Sequence, residues 1–298
     1  MNRGYRVLRN LLTIVISLGT VTGSALGQDC ALRATFRAID RHKQPVVNIT
    51  ADQVKAEING APVKVSSLSV VKPGIILMID ASSSMKSAWN QSIDAARHLL
   101  QQGGENVTTV VFAEQVYGQA NGLAPSQNLL DQLSKQVPTG HHGTALYDTL
   151  ALIAGHVSTR NAAIIVISDG GDDMSTRSSD ATASQFIHSA WPPVFGLILD
   201  YDESDQQRLR GYLKKIPAGT GGLVLYPPSA SKVLSATDEL AAVVLSSYSA
   251  TLTVSQPIKN SARLKLEVFG PNGKENKQIN LLHIAEVSGC DSQEPIQR

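Results

Sequence analysis

The chain has 298 residues, with 26 lysines and arginines against 25 acidic residues and a formal charge of +1. An apolar fraction of 42% is sufficient for a packed core, which excludes a wholly disordered protein. The balanced charge excludes a strongly basic nucleic-acid binder and a polyacidic tail protein. The length fits one large domain or two ordinary ones.

Residues 1–27 have the features of an export signal, in the expected order. Three arginines precede an apolar run over 11–18, and residues 25–27 have the small-x-small form of a cleavage site. The run is shorter than the ~20 residues that span a bilayer, although an uncleaved anchor is the alternative. Cleavage removes three of the 26 basic residues and leaves 23 against 25 acidic ones, a net charge of −2. We therefore expect a periplasmic or secreted protein with no membrane span after cleavage.

Two cysteines, Cys30 and Cys290, lie near the two ends of the mature chain. In an oxidising compartment an even pair of cysteines is a candidate disulfide, and this one would join the ends. Two free thiols are the alternative, because spacing alone does not show that the Cα atoms come within ~7 Å. A zinc site is disfavoured, since neither cysteine belongs to a Cys-x-x-Cys or Cys/His cluster.

The segment 28–72 has the patterns of β-strands. Residues 32–38 alternate apolar and polar side chains, which is the period of a strand with one buried face. Asn59-Gly60 is a strong hairpin signal, and residues 63–65 continue the strand character. We interpret the segment as the N-terminal part of a β domain.

The middle segment, 73–248, has apolar runs without alternation at 75–79, 107–112, 164–167 and 194–199. Such runs are typical of strands that are buried on both faces of a parallel sheet. Apolar residues recur at helical spacing in four stretches between and after them: Trp89 to Leu100, Leu129 to Leu133, Leu146 to Val157 and Leu234 to Tyr248. Alternating strands and helices predict an α/β fold with a doubly wound, mostly parallel sheet.

The last segment, 249–298, returns to β patterns. Residues 251–254 and 262–268 alternate, and 279–284 is a further candidate strand. Each outer segment is too small to bury a good core alone. We therefore expect 28–72 and 249–298 to form one small antiparallel β domain, with the α/β domain inserted between its two parts.

Two of the buried runs in the α/β domain are followed directly by an acidic residue. Asp80 follows the first run, with Ser82 and Ser84 close behind it, and Ser168-Asp169 follows the run at 164–167. In an open α/β sheet the ligand site lies beyond the carboxyl ends of the strands, so both acids are expected on one rim. Two carboxylates there repel each other unless a positive group lies between them.

A divalent cation is the simplest positive group for this rim. The hydroxyl groups of Ser82, Ser84 and, further along, Thr144 are hard oxygen donors, as the carboxylates are. This donor set suits Mg²⁺, or alternatively Mn²⁺ or Ca²⁺, rather than zinc or copper. The alternative is that the two serines only cap the following helix. We interpret Asp172 and Asp173 as solvated loop acids rather than ligands.

Three motifs in this order resemble the von Willebrand factor type A (VWA) domain with its metal-ion-dependent adhesion site: Asp80-x-Ser82-x-Ser84, Gly143-Thr144 and Ser168-Asp169-Gly170. The resemblance covers about residues 73–248. The layout, with β segments on both sides, also resembles a group of exported bacterial proteins described best in Acidobacteria.

The resemblance implies a role for each residue of the site. Ser82, Ser84 and Thr144 would ligate the cation through their hydroxyl groups. Asp80 and Asp169 would act directly or through water. A carboxylate from a partner protein would complete the shell.

The leading hypothesis is therefore a metal-dependent protein-binding module that recognises an acidic residue on a partner. The alternative is a structural or envelope-assembly component whose metal only stabilises the fold. A metal-assisted hydrolase is disfavoured because position 82 is a serine rather than a second acid, and no nucleophile elbow or phosphate-binding loop is present in the sequence. We expect no enzymatic activity and no nucleic-acid partner.

Overall fold

The computed structural model describes residues 30–138, 140, 143–157, 161–188, 191–199, 213, 215–254, 264–270, 276 and 279–285. The predicted signal segment, 1–27, and Cys290 lie outside these residues. Signal cleavage and the Cys30–Cys290 disulfide therefore stay predictions. Among the described residues, no helix has both the length and the apolar character needed to cross a membrane.

Six strands from the two ends of the chain form one antiparallel sheet. They are β1 (Cys30–Ile39), β2 (Val54–Ile58), β3 (Ala61–Val71), β10 (Ser247–Val254), β11 (Leu264–Val268) and β12 (Asn280–Ala285). Their order is β11-β2-β3-β10-β1-β12, so β1 pairs with two strands from the other end of the chain. The β2–β3 turn has positive φ at Asn59 (53°) and Gly60 (81°), as the Asn-Gly hairpin signal predicts.

The residues between β3 and β10 form a second, mostly parallel sheet. Its strands are β4 (Gly74–Asp80), β5 (Val107–Phe112), β6 (Val116–Asn121), β7 (Ala162–Ser168), β8 (Val194–Ile198) and β9 (Val224–Leu225). Their order is β6-β5-β4-β7-β8-β9, and only β6 is antiparallel to its neighbour. The expected fold class, a doubly wound α/β sheet inserted into an antiparallel β unit, is confirmed. The domain boundaries at 72/73 and 248/249 stay predictions.

Helices cover both faces of the parallel sheet. They are α1 (Trp89–Gly103), α2 (Leu123–Leu133), α3 (Leu146–His156), α4 (Ser179–His188) and α5 (Val233–Leu245), and residues 215–220 are also helical. On β4, Leu77 packs in the core with α1, α2 and α5, whereas Met78 packs in the core with α3 and α4. Both side chains have no exposed surface, and burying each contributes about 1.5–3 kcal/mol. Burial on both faces explains why these strands lack alternation.

Some elements differ from the sequence predictions. The helix α4 and the strands β6 and β9 are not indicated by the apolar pattern. The fourth predicted helix ends at Leu245, and Tyr248 lies in β10, where it packs in the core of the antiparallel sheet. The apolar spacing continued across the boundary because the helix and the next strand both bury one face.

The end of β1 joins the two sheets. Arg37 is 1% exposed, and its Nε donates a hydrogen bond of 3.0 Å to the carbonyl of Val244, near the end of α5. Its guanidinium lies 5.4 Å from the ring centroid of Phe195 on β8. Ile39 belongs to the same core as α1 and α5. Burial lowers the pKa of Arg37 to about 10, so it remains a cation at neutral pH.

Candidate metal centre

Asp80 is the last residue of β4, and its carboxyl group is fully buried. One oxygen, Oδ1, accepts a hydrogen bond of 2.9 Å from the main-chain N–H of Ser82. The other, Oδ2, accepts a hydrogen bond of 2.6 Å from Oγ of Ser168, which ends the neighbouring strand β7. These two bonds fix the orientation of the carboxyl group before any ligand arrives.

The register of β4 and β7 brings the second acid to the same rim. Ile79 is level with Ile167, so Asp169 lies one residue beyond the serine that binds Asp80. Burial and, secondly, the charge of Asp169 raise the pKa of Asp80 from 3.8 to about 7, against the effect of its hydrogen bonds. Within the part of the chain that the structure describes, no basic side chain forms an ion pair with either acid.

The two serines that follow Asp80 converge on one another. Their Oγ atoms lie 3.0 Å apart, with Ser82 buried and Ser84 exposed. Ser82 occupies the N-cap position of the short helical turn Ser83–Ala88, but its side chain makes no capping hydrogen bond. The alternative that these serines serve only as helix caps is therefore not supported for Ser82. Oxygen donors extend from the buried carboxyl group of Asp80 to the surface at Ser84.

Thr144 lies on the loop before α3. Main-chain hydrogen bonds at the end of β5 hold this loop beside the loop that follows Asp80. The N–H of Ala81 donates to the carbonyl of Phe112 (2.7 Å), and the N–H of Ala145 donates to the carbonyl of Ala113 (2.8 Å). Thr144 itself is 4% exposed. Its side chain makes no hydrogen bond to the other four predicted site residues in the described structure. Thr144 is thus brought to the rim through its main chain.

Sequence reasoning missed two groups of residues around the site. Ser168 was part of a motif but was not assigned to the site, although the register of two parallel strands places it beside Asp80. Asp173 is exposed and Asp172 is half-buried, and both also accept main-chain hydrogen bonds, which the interpretation as solvated loop acids does not include: from Tyr147 to Asp172 (2.9 Å) and from Thr144 to Asp173 (2.7 Å). Burial raises the pKa of Asp172 above its ordinary value. No sequence pattern indicates these loop contacts.

The residues at the rim fit a hard divalent cation. Two carboxylates lie among hydroxyl oxygens, which is the donor chemistry of Mg²⁺, Mn²⁺ and Ca²⁺ sites. The charges of two carboxylates and one dication sum to zero, which offsets the repulsion between Asp80 and Asp169 that, after burial, raises the pKa of Asp80. Among the described residues there is no group of three or more His, Cys, Asp and Glu side chains suited to a metal.

The open α/β fold, with its rim of carboxylates and hydroxyls, defines a domain of the doubly wound class, in which ligand sites lie at the carboxyl ends of the strands. The family model for the VWA domain containing CoxE-like protein matches residues 6–190, which is more than half of the chain, so the chain belongs to this family. Membership in this family supports a role for the chain as a protein-interaction module. No curated protein matches the chain.

Several solved structures are similar to the chain at low sequence identity. An aerotolerance-related membrane protein from Bacteroides fragilis is 16% identical over 57% of this chain and 97% of its own, with a TM-score of 0.44. A von Willebrand factor type A protein from Catenulispora acidiphila is 12% identical over 90% and 74%, with a TM-score of 0.44. Proximal thread matrix protein 1 from the mussel byssus, with a zinc-occupied MIDAS motif, is 16% identical over 65% and 49%, with a TM-score of 0.45.

Proposed function

We propose that this chain is an exported, metal-dependent protein-binding module. A divalent cation, Mg²⁺ or alternatively Mn²⁺ or Ca²⁺, accepts a carboxylate from an acidic residue of a partner protein. The residues that hold the cation are Asp80, Ser82, Ser84, Thr144 and Asp169. The observation that carries this proposal is the buried carboxyl group of Asp80, which is oriented by two hydrogen bonds and lies beside a second acid.

Each residue contributes a distinct property to the site. The N–H of Ser82 and the hydroxyl of Ser168 keep Asp80 pointing in one direction. Asp80 and Asp169 supply the negative charge that attracts a dication. Ser84 is exposed, so the site opens to water on its side and a partner reaches it there. When bound, the cation supplies a coordination position at which water exchanges for an anionic oxygen.

The module works outside the cytoplasm and is not an enzyme. The arginines and apolar run of residues 1–27 support export. The serine at position 82 supports binding rather than phosphoryl transfer, because the design of an aspartyl phosphatase carries a second acid there. A carboxylate partner also fits the charge of the site, since a dication held by two acids still attracts a further anionic oxygen.

The test is retention of envelope proteins on the immobilised full chain in Mg²⁺, followed by elution with EDTA. We expect specific proteins to elute with EDTA, and we expect them to be lost from Asp80→Ala and Ser84→Ala. Ser84 is exposed, so its substitution should leave the fold intact, and Ser84→Ala keeps the test decisive if Asp80→Ala fails to fold.

The matched control is Asp94→Ala, which removes one exposed carboxylate from α1, away from the rim. It should retain the same proteins as the unsubstituted chain. Blocking the carboxyl groups of the eluted proteins with an amide-forming reagent should abolish their return to the column. Retention that is equal in Mg²⁺, in EDTA and with both site variants contradicts the proposal.

A further inference from the structure

We infer that Asp173 is a positioning residue of the metal centre: it holds the main chain of Thr144 and links the segment of Asp169 to the start of α3. The inference rests on the proposed function, because it assigns to Asp173 a purpose in that same site. Asp173 lies four residues beyond Asp169 and is not one of the expected ligands.

Asp173 and its neighbour satisfy both main-chain polar groups of Thr144. The N–H of Thr144 donates to Oδ1 of Asp173 at 2.7 Å. The carbonyl of Thr144 accepts from the N–H groups of Asp173 (3.1 Å) and Met174 (3.0 Å). The next N–H, that of Ala145, donates to the carbonyl of Ala113, the residue that follows β5. A threonine side chain has few χ1 rotamers, so fixing its main chain restricts the direction of its hydroxyl group.

Gly143 permits this close approach. A Cβ atom at position 143 would overlap Cγ of Met174 and would lie 3.1 Å from Oδ1 of Asp173. The loop that carries Thr144 therefore packs directly on residues 173–174. This contact explains a glycine before Thr144 without any positive φ angle.

The loop 172–177 is itself anchored on the first turn of α3. Oγ of Ser175 accepts hydrogen bonds from the N–H groups of Tyr147 (3.0 Å) and Asp148 (3.1 Å). The carboxyl group of Asp148 accepts from the N–H (2.8 Å) and Oγ1 (2.9 Å) of Thr176. Contacts therefore run in both directions between the loop and the helix. The segments that carry Thr144 and Asp169 are distant in sequence, but these hydrogen bonds connect them at the rim.

Because the side chain of Asp173 is exposed, its role in positioning Thr144 can be measured separately from its contribution to the stability of the fold. The side chain is exposed, so its removal leaves no buried cavity, and its cost in folding free energy is limited to the lost acceptor of the Thr144 N–H. Groups that orient metal ligands typically change metal affinity by about 10–100-fold when they are removed. We therefore expect a large change in metal affinity with a small change in unfolding.

The test compares Asp173→Ala, Asp173→Asn and the control Asp94→Ala in the full chain. Two measurements are made: the Mn²⁺ dissociation constant by calorimetry, and amide hydrogen exchange of residues 143–148 in EDTA. We expect Asp173→Ala to raise the Mn²⁺ dissociation constant about 10–100-fold and to speed exchange at Thr144. Asp173→Asn keeps an acceptor oxygen and should restore slow exchange and most of the affinity. Asp94→Ala should match the unsubstituted chain in both.

Three outcomes are decisive. Unchanged exchange and unchanged affinity in Asp173→Ala would overturn the inference. Equal loss of affinity in the Ala and Asn variants with unchanged exchange would overturn it too, because the effect would then be one of charge. Failure of the unsubstituted chain to bind Mn²⁺ would overturn the proposed function instead, and the exchange data would still decide whether Asp173 holds Thr144.

Discussion

The buried carboxyl group of Asp80 makes folding sensitive to pH when no metal is bound. Its pKa is raised from 3.8 in the unfolded chain to about 7 in the fold, by burial first and by the charge of Asp169 second. Between these values the folded chain keeps a proton that the unfolded chain has lost. Stability therefore falls as pH rises through this window, and it levels off above about 7.

Asp80→Asn should remove this pH dependence, because the amide has no proton to lose. In EDTA, we expect the variant to gain stability relative to the unsubstituted chain as pH rises from 4 to above the pKa of about 7. With saturating Mg²⁺ above pH 7 the order should reverse, since only the carboxylate binds the cation strongly. Urea unfolding at several pH values, with EDTA or Mg²⁺, measures both effects. A stability difference that is constant with pH in EDTA would contradict the assignment.

The site residues show what sequence can and cannot predict at this scale. Asp80, Ser82 and Ser84 are within five positions of one another, so their convergence follows from the local pattern. The hydrogen bond from Ser168 to Asp80 follows from strand register, which a pair of apolar runs indicates only when their order in the sheet is known. Asp173 acts through a loop conformation that no periodicity encodes.

At the scale of elements, the start of α3 depends on a loop from elsewhere in the chain. Its N-cap residue, Ala145, provides no side-chain cap. Oγ of Ser175 accepts hydrogen bonds from the N–H groups of Tyr147, which also donates to Asp172, and of Asp148 in the first turn, and the hydroxyl of Ser175 donates to Asp172 at 2.6 Å. The helix was predicted from its apolar spacing, but a cap that is 30 positions beyond the N-cap residue is invisible to sequence patterns.

Ser175→Ala should therefore lower the free energy of unfolding by about 1 kcal/mol, as loss of a helix cap does. Ser235→Ala is the matched control: Ser235 is exposed on α5, and within the described part of the chain its hydroxyl bonds to the carbonyl of Lys232 in the same helix turn. It should change stability by less than about 0.5 kcal/mol. Urea unfolding monitored by circular dichroism compares the two. Equal effects of the two substitutions would show that the long-range cap does not stabilise α3.

At the scale of the whole molecule, the sequence pattern predicts both sheets, but it does not predict the contact between them at Arg37. Unbroken apolar runs predicted the parallel sheet, and alternating segments at both ends predicted the antiparallel one. Alternation in β1 places Arg33 and Arg37 on its polar face, and Arg33 is indeed exposed. Arg37 is buried because that face of β1 meets α5 and β8 at its end. This packing is a tertiary effect, which overrides the local pattern.

The contacts of Arg37 with α5 and β8 allow a prediction about the stability of the fold. Arg37→Ala should lower the free energy of unfolding by about 3 kcal/mol, because it leaves a cavity and an unpaired carbonyl at Val244. Arg37→Met fills the same space without a buried charge and should cost less than about 1.5 kcal/mol.

Urea unfolding of both variants measures what the contacts of Arg37 contribute to stability. The control is Arg33→Ala, since Arg33 is exposed. The control should stay within about 0.5 kcal/mol of the unsubstituted chain. Mn²⁺ affinity should be unchanged in all three, because Phe195 lies near the start of β8 whereas the proposed metal centre lies at the ends of β4 and β7. If Arg37→Met is as destabilising as Arg37→Ala, the guanidinium bond to α5, rather than packing, holds the two sheets together.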